Sequence, residues 1–535
     1  MAQTSGKSEQ ASAARAATKV APAGRTDKES VWRFLPGSQD GRSHGSRLWN
    51  VALCIVIFGL ALGFNLYRLG APSIWFDEAF SVELARQPLP LIWHIIWGPE
   101  PNMELYYLLL HFWLGFTGFL GLLPTEFVVR FPSTIFAALS SVMVFLLGKR
   151  FIGTIAGIVG AVLYLLNDLQ LVYAQQTRAY SLQLLLICVA WYALFVVLFQ
   201  QTQQKRWWAC FVAATTLALY SHLFSILILL SQLAAFGGLL FLPGPCRSRA
   251  RQQIRPLLLS LLCTVILIIP MLLESLHGAK TGWLPVPNLR TAYEFFLTIY
   301  GASKFYLLVI AICCASGLFL AILPYLPRSE RLQEFFALNE HAGTGKQTSY
   351  KQYLPLAFAL VCWVVIPVVV SYVVSQGSTR LFSSRYLVVI VPPLCLLAGM
   401  GIAALRWRSI QLLVSLVVIL VAVYYVPVYY RSAQVEDWNR AVPWLEQHYS
   451  TDDGLVCYDS DVEQGCQIAV EYYLQAYPSP AHFTSDSPGA FSWQNFGPAD
   501  PHSSPEAATD PQALAAYGAK HPRISASSLC AVASE

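Results

Sequence analysis

The sequence predicts an all-α polytopic membrane protein with about 11 transmembrane helices. Three observations predict it. Of the 535 residues, 56% are hydrophobic and 12% are charged, and the mean hydropathy is +0.50. Apolar stretches of about 20 residues, the length that crosses a bilayer core, recur along the chain. Basic residues collect in alternate loops, as they do on the cytoplasmic side of membrane proteins. A soluble chain of this length could not hide so much apolar surface. The net charge of +5 lies mostly in short loops and therefore reports topology, not nucleic-acid binding.

Taken in order, residues 1–48 read as a disordered cytoplasmic tail, rich in Ala, Ser and Gly with Lys7, Arg15, Lys19, Arg25, Arg42 and Arg47. The first apolar run starts near Asn50, too far along the chain for the core of a cleavable signal. Residues 49–431 form the membrane body, with spans expected at 50–68, 132–148, 154–174, 180–199, 207–221, 223–242, 256–275, 304–326, 353–374, 386–405 and 409–430. Lys149-Arg150, Lys205-Arg206, the Arg247–Arg255 cluster, the stretch from Arg328 to Lys351, and Arg406 with Arg408 all then fall on the cytoplasmic side.

One apolar segment is left out of that count. "ELYYLLLHFWLGFTGFLGLL", Glu104 to Leu123, is apolar enough to cross, yet a crossing would place every later basic loop outside. It is expected to lie in the interface or re-enter shallowly, with Tyr106, Tyr107, His111 and Trp113 at headgroup level. The first outer loop is then 67–130. The C-terminal region 432–535 is polar and extracytoplasmic. Its "EDWNRAVPWLEQHY" reads as a helix, and "GLVCYDS" after the Asp452-Asp453-Gly454 turn as a strand. Cys457 and Cys466 are placed to form a disulfide, and beyond Pro478 the composition argues for little regular structure. No cysteine pair has zinc-ligand spacing.

On this topology the polar features of the outer face gather. In "SIWFDEAF", Asp77 and Glu78 stand among Trp75, Phe76 and Phe80. Such a pair can withdraw a proton from a hydroxyl, bind a metal, or simply cap a surface helix. Arg178, with Gln175, Gln176 and Tyr180 around it, stands where one span leaves the membrane. Arg385, followed by Tyr386, stands where another enters. A guanidinium there can hold a lipid phosphate through two parallel hydrogen bonds, or only anchor headgroups. His222 is a metal ligand, a donor or a structural histidine. Asp168 beside Asn167 reads as a polar contact inside a span.

The segments "SIWFDEAFSVELA", "LYYLLLHFW", "EFVVRFPSTIFAALSSVMVFLLGKRFIG", "YAQQTRAYSLQLLL", "ALYSHLF" and "SSRYLVVIVPPLCLLAG", in this order, resemble the family 39 membrane glycosyltransferases. These are the dolichyl-phosphate-mannose-protein mannosyltransferase-like enzymes of bacteria and relatives of the aminoarabinose lipid A transferases. The resemblance spans roughly Trp49 to Leu445. It implies a GT-C fold with the active site on the extracytoplasmic face of the bacterial inner membrane, and a polyprenyl-phosphate sugar donor. It also implies a lipid, glycan or protein acceptor, and inversion at the anomeric carbon. By the same resemblance Asp77, followed by Glu78, is the catalytic carboxylate, and Arg178 and Arg385 hold the donor phosphate. His222 matches the family's Tyr-Thr-His position. From their places beside these residues Tyr180, His222, Tyr386 and Glu104 are expected to contact substrate, and a divalent metal at Glu78 or His222 stays open. The chain departs from many relatives at Gln176, where they carry an acid, and at "PNMELYY", where they carry Pro-Pro-Leu-Tyr-Tyr.

Two other classes compete. A flippase or transporter would favour ionisable groups at mid-membrane and paired internal repeats. A glycan polymerase or ligase would share the spans and outer arginines but use diphosphate-linked donors.

Overall fold

The computed structural model describes residues 44–98, 100, 102–200, 205–242, 245–275, 284–325, 353–405, 407–458, 465–476, 479–488, 490, 492–493 and 510–528. The chain divides into two compact units, 1–51 and 52–535. Of the first unit only 44–51 are described, as the start of a helix. Most of the expected cytoplasmic tail, and the basic stretch from Arg328 to Lys351, lie outside the described residues.

The body is helical, as its composition dictates. Eight helices among the described residues are long and apolar enough to cross a membrane. They are α1 (His44–Leu66), α5 (Glu126–Phe151), α8 (Tyr180–Phe199), α12 (Ile254–Ser275), α14 (Lys304–Ile322), α15 (Tyr353–Val374), α16 (Ser384–Ala403) and α17 (Arg408–Ser432). The helices α6 (Thr154–Leu165) and α7 (Asp168–Ala174) are together long and apolar enough for a ninth, with a bend of 61° between them. The break falls at Asn167, whose side chain caps α7 by accepting from the Gln170 amide and donates to the Ile299 carbonyl. The expected spans at 207–221 and 223–242 are α9 (Lys205–Ser221) and α10 (Ile226–Leu239), both shorter than the crossing length. By length and composition, the described residues hold eight such helices, or nine with the bent pair, beside the eleven spans read from hydropathy.

Between α1 and α5 come α2 (Phe76–Arg86), α3 (Leu89–Ile96) and α4 (Glu104–Phe119). The 16 residues of α4 rise about 24 Å at 1.5 Å each, short of a bilayer core of about 30 Å. Its Phe112, Phe116 and Phe119 are exposed while Tyr106, Tyr107 and Leu110 are buried. That one-sided apolar face suits a helix lying in an interface.

Small residues let the central helices approach closely. A Cβ on Gly401 of α16 would stand 2.0 Å from the Cys313 carbonyl oxygen of α14. One on Gly399 would stand 2.6 Å from the Ala156 carbonyl oxygen of α6. Trp191 of α8 and Trp363 of α15 stack at 4.8 Å between centroids, both fully buried. Gly401→Val should therefore force α14 and α16 apart and lower the thermal midpoint of the detergent-solubilised protein by several degrees, since overpacking costs about 1–3 kcal/mol. Thermal unfolding read by intrinsic fluorescence measures this.

After the body come α18 (Trp438–His448), β1 (Gly454–Tyr458), α19 (Gly465–Ala476), the helix α20 (Pro511–Gly518) and β2 (Ile524–Ser528). The expected helix and strand are present, and a Cys457–Cys466 disulfide joins β1 to α19. Beyond Pro478 the described regular structure is α20 and β2, and β2 pairs in parallel with β1, from Gly454 opposite Ile524 to Tyr458 opposite Ser528. A long-range parallel pairing leaves no local pattern to read.

Helix α19 packs on α2. Arg86 donates to Glu83 and, at 3.2 Å, to Gln475, and lies over the Tyr472 ring at 5.6 Å. Burial pushes the Glu83 carboxyl up to about 7; Arg86 opposes the shift and Glu471 adds to it. A carboxyl raised from 4.5 to about 7 binds more protons folded than unfolded in that interval. Its contribution to stability is therefore fullest below about pH 4.5 and is lost as pH rises through about 7. Glu83→Gln should flatten the fall in thermal midpoint between about pH 5 and about pH 7 that the unmodified protein shows. Melting curves at a series of pH values measure it.

Candidate active site

The site lies at the end of the bundle where α1 and α9 finish and α8 and α16 begin. Its acids stand on the first turn of α2, where a carboxylate is favoured by the helix dipole. Consecutive helical residues point about 100° apart, so the two neighbours face different surroundings.

Glu78 turns inward and is fully buried. Arg130 of α5 grips it with two bonds, Nε to Oε1 at 2.9 Å and Nη2 to Oε2 at 2.6 Å. Oε1 also accepts from the Thr177 amide at 2.7 Å. The remaining Arg130 protons go to the carbonyls of Leu69 (3.0 Å), Pro72 (2.8 Å) and Ser73 (2.9 Å). The Arg130–Glu78 pair thus holds α2, the loop before it and the turn before α8.

Asp77 turns the other way and stays partly exposed. Its Oδ2 lies 3.0 Å from Arg385 Nη1 and 3.7 Å from Arg178 Nη2. Arg178 is held by donating Nη1 to the Asp77 carbonyl (2.9 Å) and to Ser81 Oγ (3.0 Å). Arg385 lies over the Trp75 ring at 5.7 Å. Two guanidinium groups therefore converge on one carboxylate oxygen. Beside them is a cavity of about 380 Å³ lined by Trp75, Tyr173, Gln176, Tyr180, Ser384 and Arg385 among others. The Gln176 Oε1 is buried there without a hydrogen-bond partner.

An aromatic wall closes this shell. The Tyr180 ring packs against Tyr173 at 4.6 Å and His222 at 5.4 Å, and the Tyr386 ring against His222 at 5.3 Å and Phe224 at 4.1 Å. His222 Nδ1 accepts from the Phe224 amide at 3.3 Å, which assigns the ring proton to Nε2. Nε2 is buried with no partner. Burial first, then Arg178 and Arg385, lowers His222 to about 3, so the ring is a neutral donor.

The structure thus brings Asp77, Arg178, Tyr180, His222, Arg385 and Tyr386 together and takes two candidates elsewhere. Glu78 belongs to the Arg130 pair. Glu104 belongs with Glu274 of α12: burial, then the neighbouring Glu274 carboxyl, pushes the Glu104 carboxyl above the usual carboxylate range. At Glu78 and His222, the positions named for a divalent metal, the donor atoms are largely taken up by the protein. Both Glu78 oxygens and His222 Nδ1 are engaged, and no group of three or more His, Cys, Asp or Glu side chains is placed to hold a metal among the described residues. Arg130 was missed from the sequence; the available signal was a cation within an apolar run, "EFVVRFPS".

These features define a multi-pass membrane protein with a carboxylate between two arginines at one end of its helical bundle, the class that the sequence resemblance implied. Residues 108–273 match the family model described as dolichyl-phosphate-mannose-protein mannosyltransferase, so the resemblance to membrane glycosyltransferases is shown over that stretch. It contains Arg130, Arg178, Tyr180 and His222. Among solved structures, the chain is similar to ArnT from Cupriavidus metallidurans in the apo state (13% identity, TM-score 0.48, 81% of this chain and 84% of that one). It is also similar to the same protein bound to undecaprenyl phosphate (13% identity, TM-score 0.44, 91% and 90%). A third is the oligosaccharyltransferase AglB from Archaeoglobus fulgidus with an inhibitory peptide and a dolichol-phosphate (12% identity, TM-score 0.44, 82% and 61%). No curated protein sequence matches the chain.

Removing Glu78 would leave Arg130 buried and unpaired. Glu78→Ala should destabilise the protein by about 3–5 kcal/mol. The measurement is thermal or denaturant unfolding in detergent, and a midpoint unchanged from the parent would refute the structural role.

Proposed function

We propose that the chain is an inverting membrane glycosyltransferase that moves a sugar from a polyprenyl-phosphate donor to a hydroxyl of a lipid, glycan or protein acceptor. It acts on the extracytoplasmic face of the bacterial inner membrane, with the N-terminus inside and the region after α17 outside. The observation that carries this reading is the Asp77 carboxylate set between Arg178 and Arg385 beside a cavity lined with aromatic rings. The family match supports a dolichyl-phosphate-type donor.

Each residue has a task in this reading. The donor phosphate takes hydrogen bonds from Arg385 and Arg178. A phosphate that draws on these guanidinium groups loosens their hold on Asp77 and frees its carboxylate to meet the acceptor hydroxyl. The acceptor oxygen attacks the anomeric carbon and gives its proton to Asp77, while the bond from that carbon to the phosphate oxygen breaks. The electron pair leaves on the polyprenyl phosphate, whose charge the arginines stabilise. Tyr180, Tyr386 and the His222 Nε2–H form the wall for the sugar. Glu78 and Glu104 carry no step: the first anchors the helix, and the second is paired with Glu274.

Asp77→Asn keeps the shape of the site and removes the base, so transfer should fall by about 10²–10⁴-fold while the protein still inserts. Mass spectrometry of envelope glycans and lipids from a deletion strain identifies the decoration that disappears. Complementation with the parent should restore it and with Asp77→Asn should not. Full restoration by Asp77→Asn would sink the assignment of the base.

A further inference from the structure

The segment that delivers Asp77 is the non-helical stretch Ser73 to Trp75, ending in an extended Trp75, with the first turn of α2 behind it. Its backbone groups need partners, because buried amides and carbonyls are costly to leave unpaired. The carbonyl side is met by Arg130, from within the membrane body. The amide side is met from elsewhere. The Ser73 amide donates to Gln434 Oε1 at 3.1 Å, the Ile74 amide to the Tyr473 hydroxyl at 2.9 Å, and the Phe76 amide to Glu436 Oε2 at 3.1 Å. All three acceptors belong to the region after α17.

We infer that this C-terminal region is a positioning clamp for the catalytic acid, with Glu436 and Tyr473 as its positioning residues. The inference rests on the reading of Asp77 as the base.

Both side chains are themselves held. Glu436 Oε2 also accepts from Trp438 Nε1 at 2.6 Å, and Trp438 is buried. The Tyr473 hydroxyl donates to Glu126 Oε1 at 2.7 Å, at the start of the helix that carries Arg130. The Asn439 amide adds a bond to Ser73 Oγ at 3.1 Å. The disulfide ties the first turn of α19, the helix of Tyr473, back to β1. Trp493 packs on Phe80, one turn along α2, at 5.4 Å between ring centroids.

The consequence for chemistry is geometric. Phe76 is the first residue of α2 and Asp77 the next, whereas Arg385 stands on α16 and Arg178 between α7 and α8. Loosening the loop therefore moves the acid relative to both arginines, and misplacement by about 1 Å can cost about 10²-fold in rate. Glu436 also sets a carboxylate at the N-terminus of α2, where the dipole favours it.

The test uses the full-length protein with Glu436→Ala, Glu436→Gln and Tyr473→Phe. Hydrogen exchange read by mass spectrometry follows the peptide covering residues 73–80. Transfer is read as envelope decoration in the deletion strain at matched protein levels. Glu436→Ala and Tyr473→Phe should each speed exchange in that peptide and lower transfer on the order of tenfold, with exchange in α8 unchanged. Glu436→Gln keeps an acceptor for the Phe76 amide and should restore both readouts, which general damage to the fold would not allow. Unchanged exchange in both disrupting variants overturns the clamp. Faster exchange with full transfer overturns its positioning role. Asp77→Asn, run alongside, reports separately on the base: activity there would fail the functional reading while the exchange result still judged the clamp.

Discussion

The arrangement depends on the buried pair of Arg130 and Glu78. Taking two charges out of water costs several kcal/mol for each, and their attraction repays this only when the remaining protons and lone pairs are also satisfied. Here they are. The carboxylate takes two bonds from the guanidinium and one from the Thr177 amide, and the guanidinium reaches three carbonyls of the loop before α2. One contact therefore settles where α2 begins relative to α5 and where the turn that carries Arg178 lies.

That constraint explains why adjacent carboxylates have different fates. Glu78 is spent on structure, and Asp77, about 100° around the same helical turn, is left facing Arg178 and Arg385. Because Oδ2 is shared by two cations, an incoming anion has guanidinium protons to draw on without breaking the structural pair. The neutral, donor-bearing His222 is kept so by burial and by the same two arginines. Charge, aromatic wall and cavity form one electrostatic unit built on the turns between helices, where polar groups reach the membrane face.

The acid-bearing loop is held from two sides that are far apart in sequence. Arg130 belongs to the membrane body, and Gln434, Glu436 and Tyr473 belong to the region after the last span. The Tyr473 to Glu126 bond closes the circuit between them. On this view the polar C-terminal region is part of the scaffold of the site, and its packing on α2 extends from the mouth at Ile74 to the far end at Arg86.

Much was legible in the residues alone. Hydropathy and basic loops determine a many-span helical protein, because a run of apolar residues near 20 long has few other stable fates. Loop polarity placed Asp77, Arg178, His222 and Arg385 at one end, and the structure gathers them there. The breaks within the apolar pattern were not legible: α9 and α10 are apolar but short, and α6 and α7 bend at Asn167. Nor was the division of labour between Asp77 and Glu78, the pairing of Glu104 with Glu274, or the roles of Arg130, Glu436 and Tyr473. Those depend on which side chains meet across separations of 52 to 399 residues. Local pattern records how far a segment must sit from water; only the packed chain decides which charge answers which.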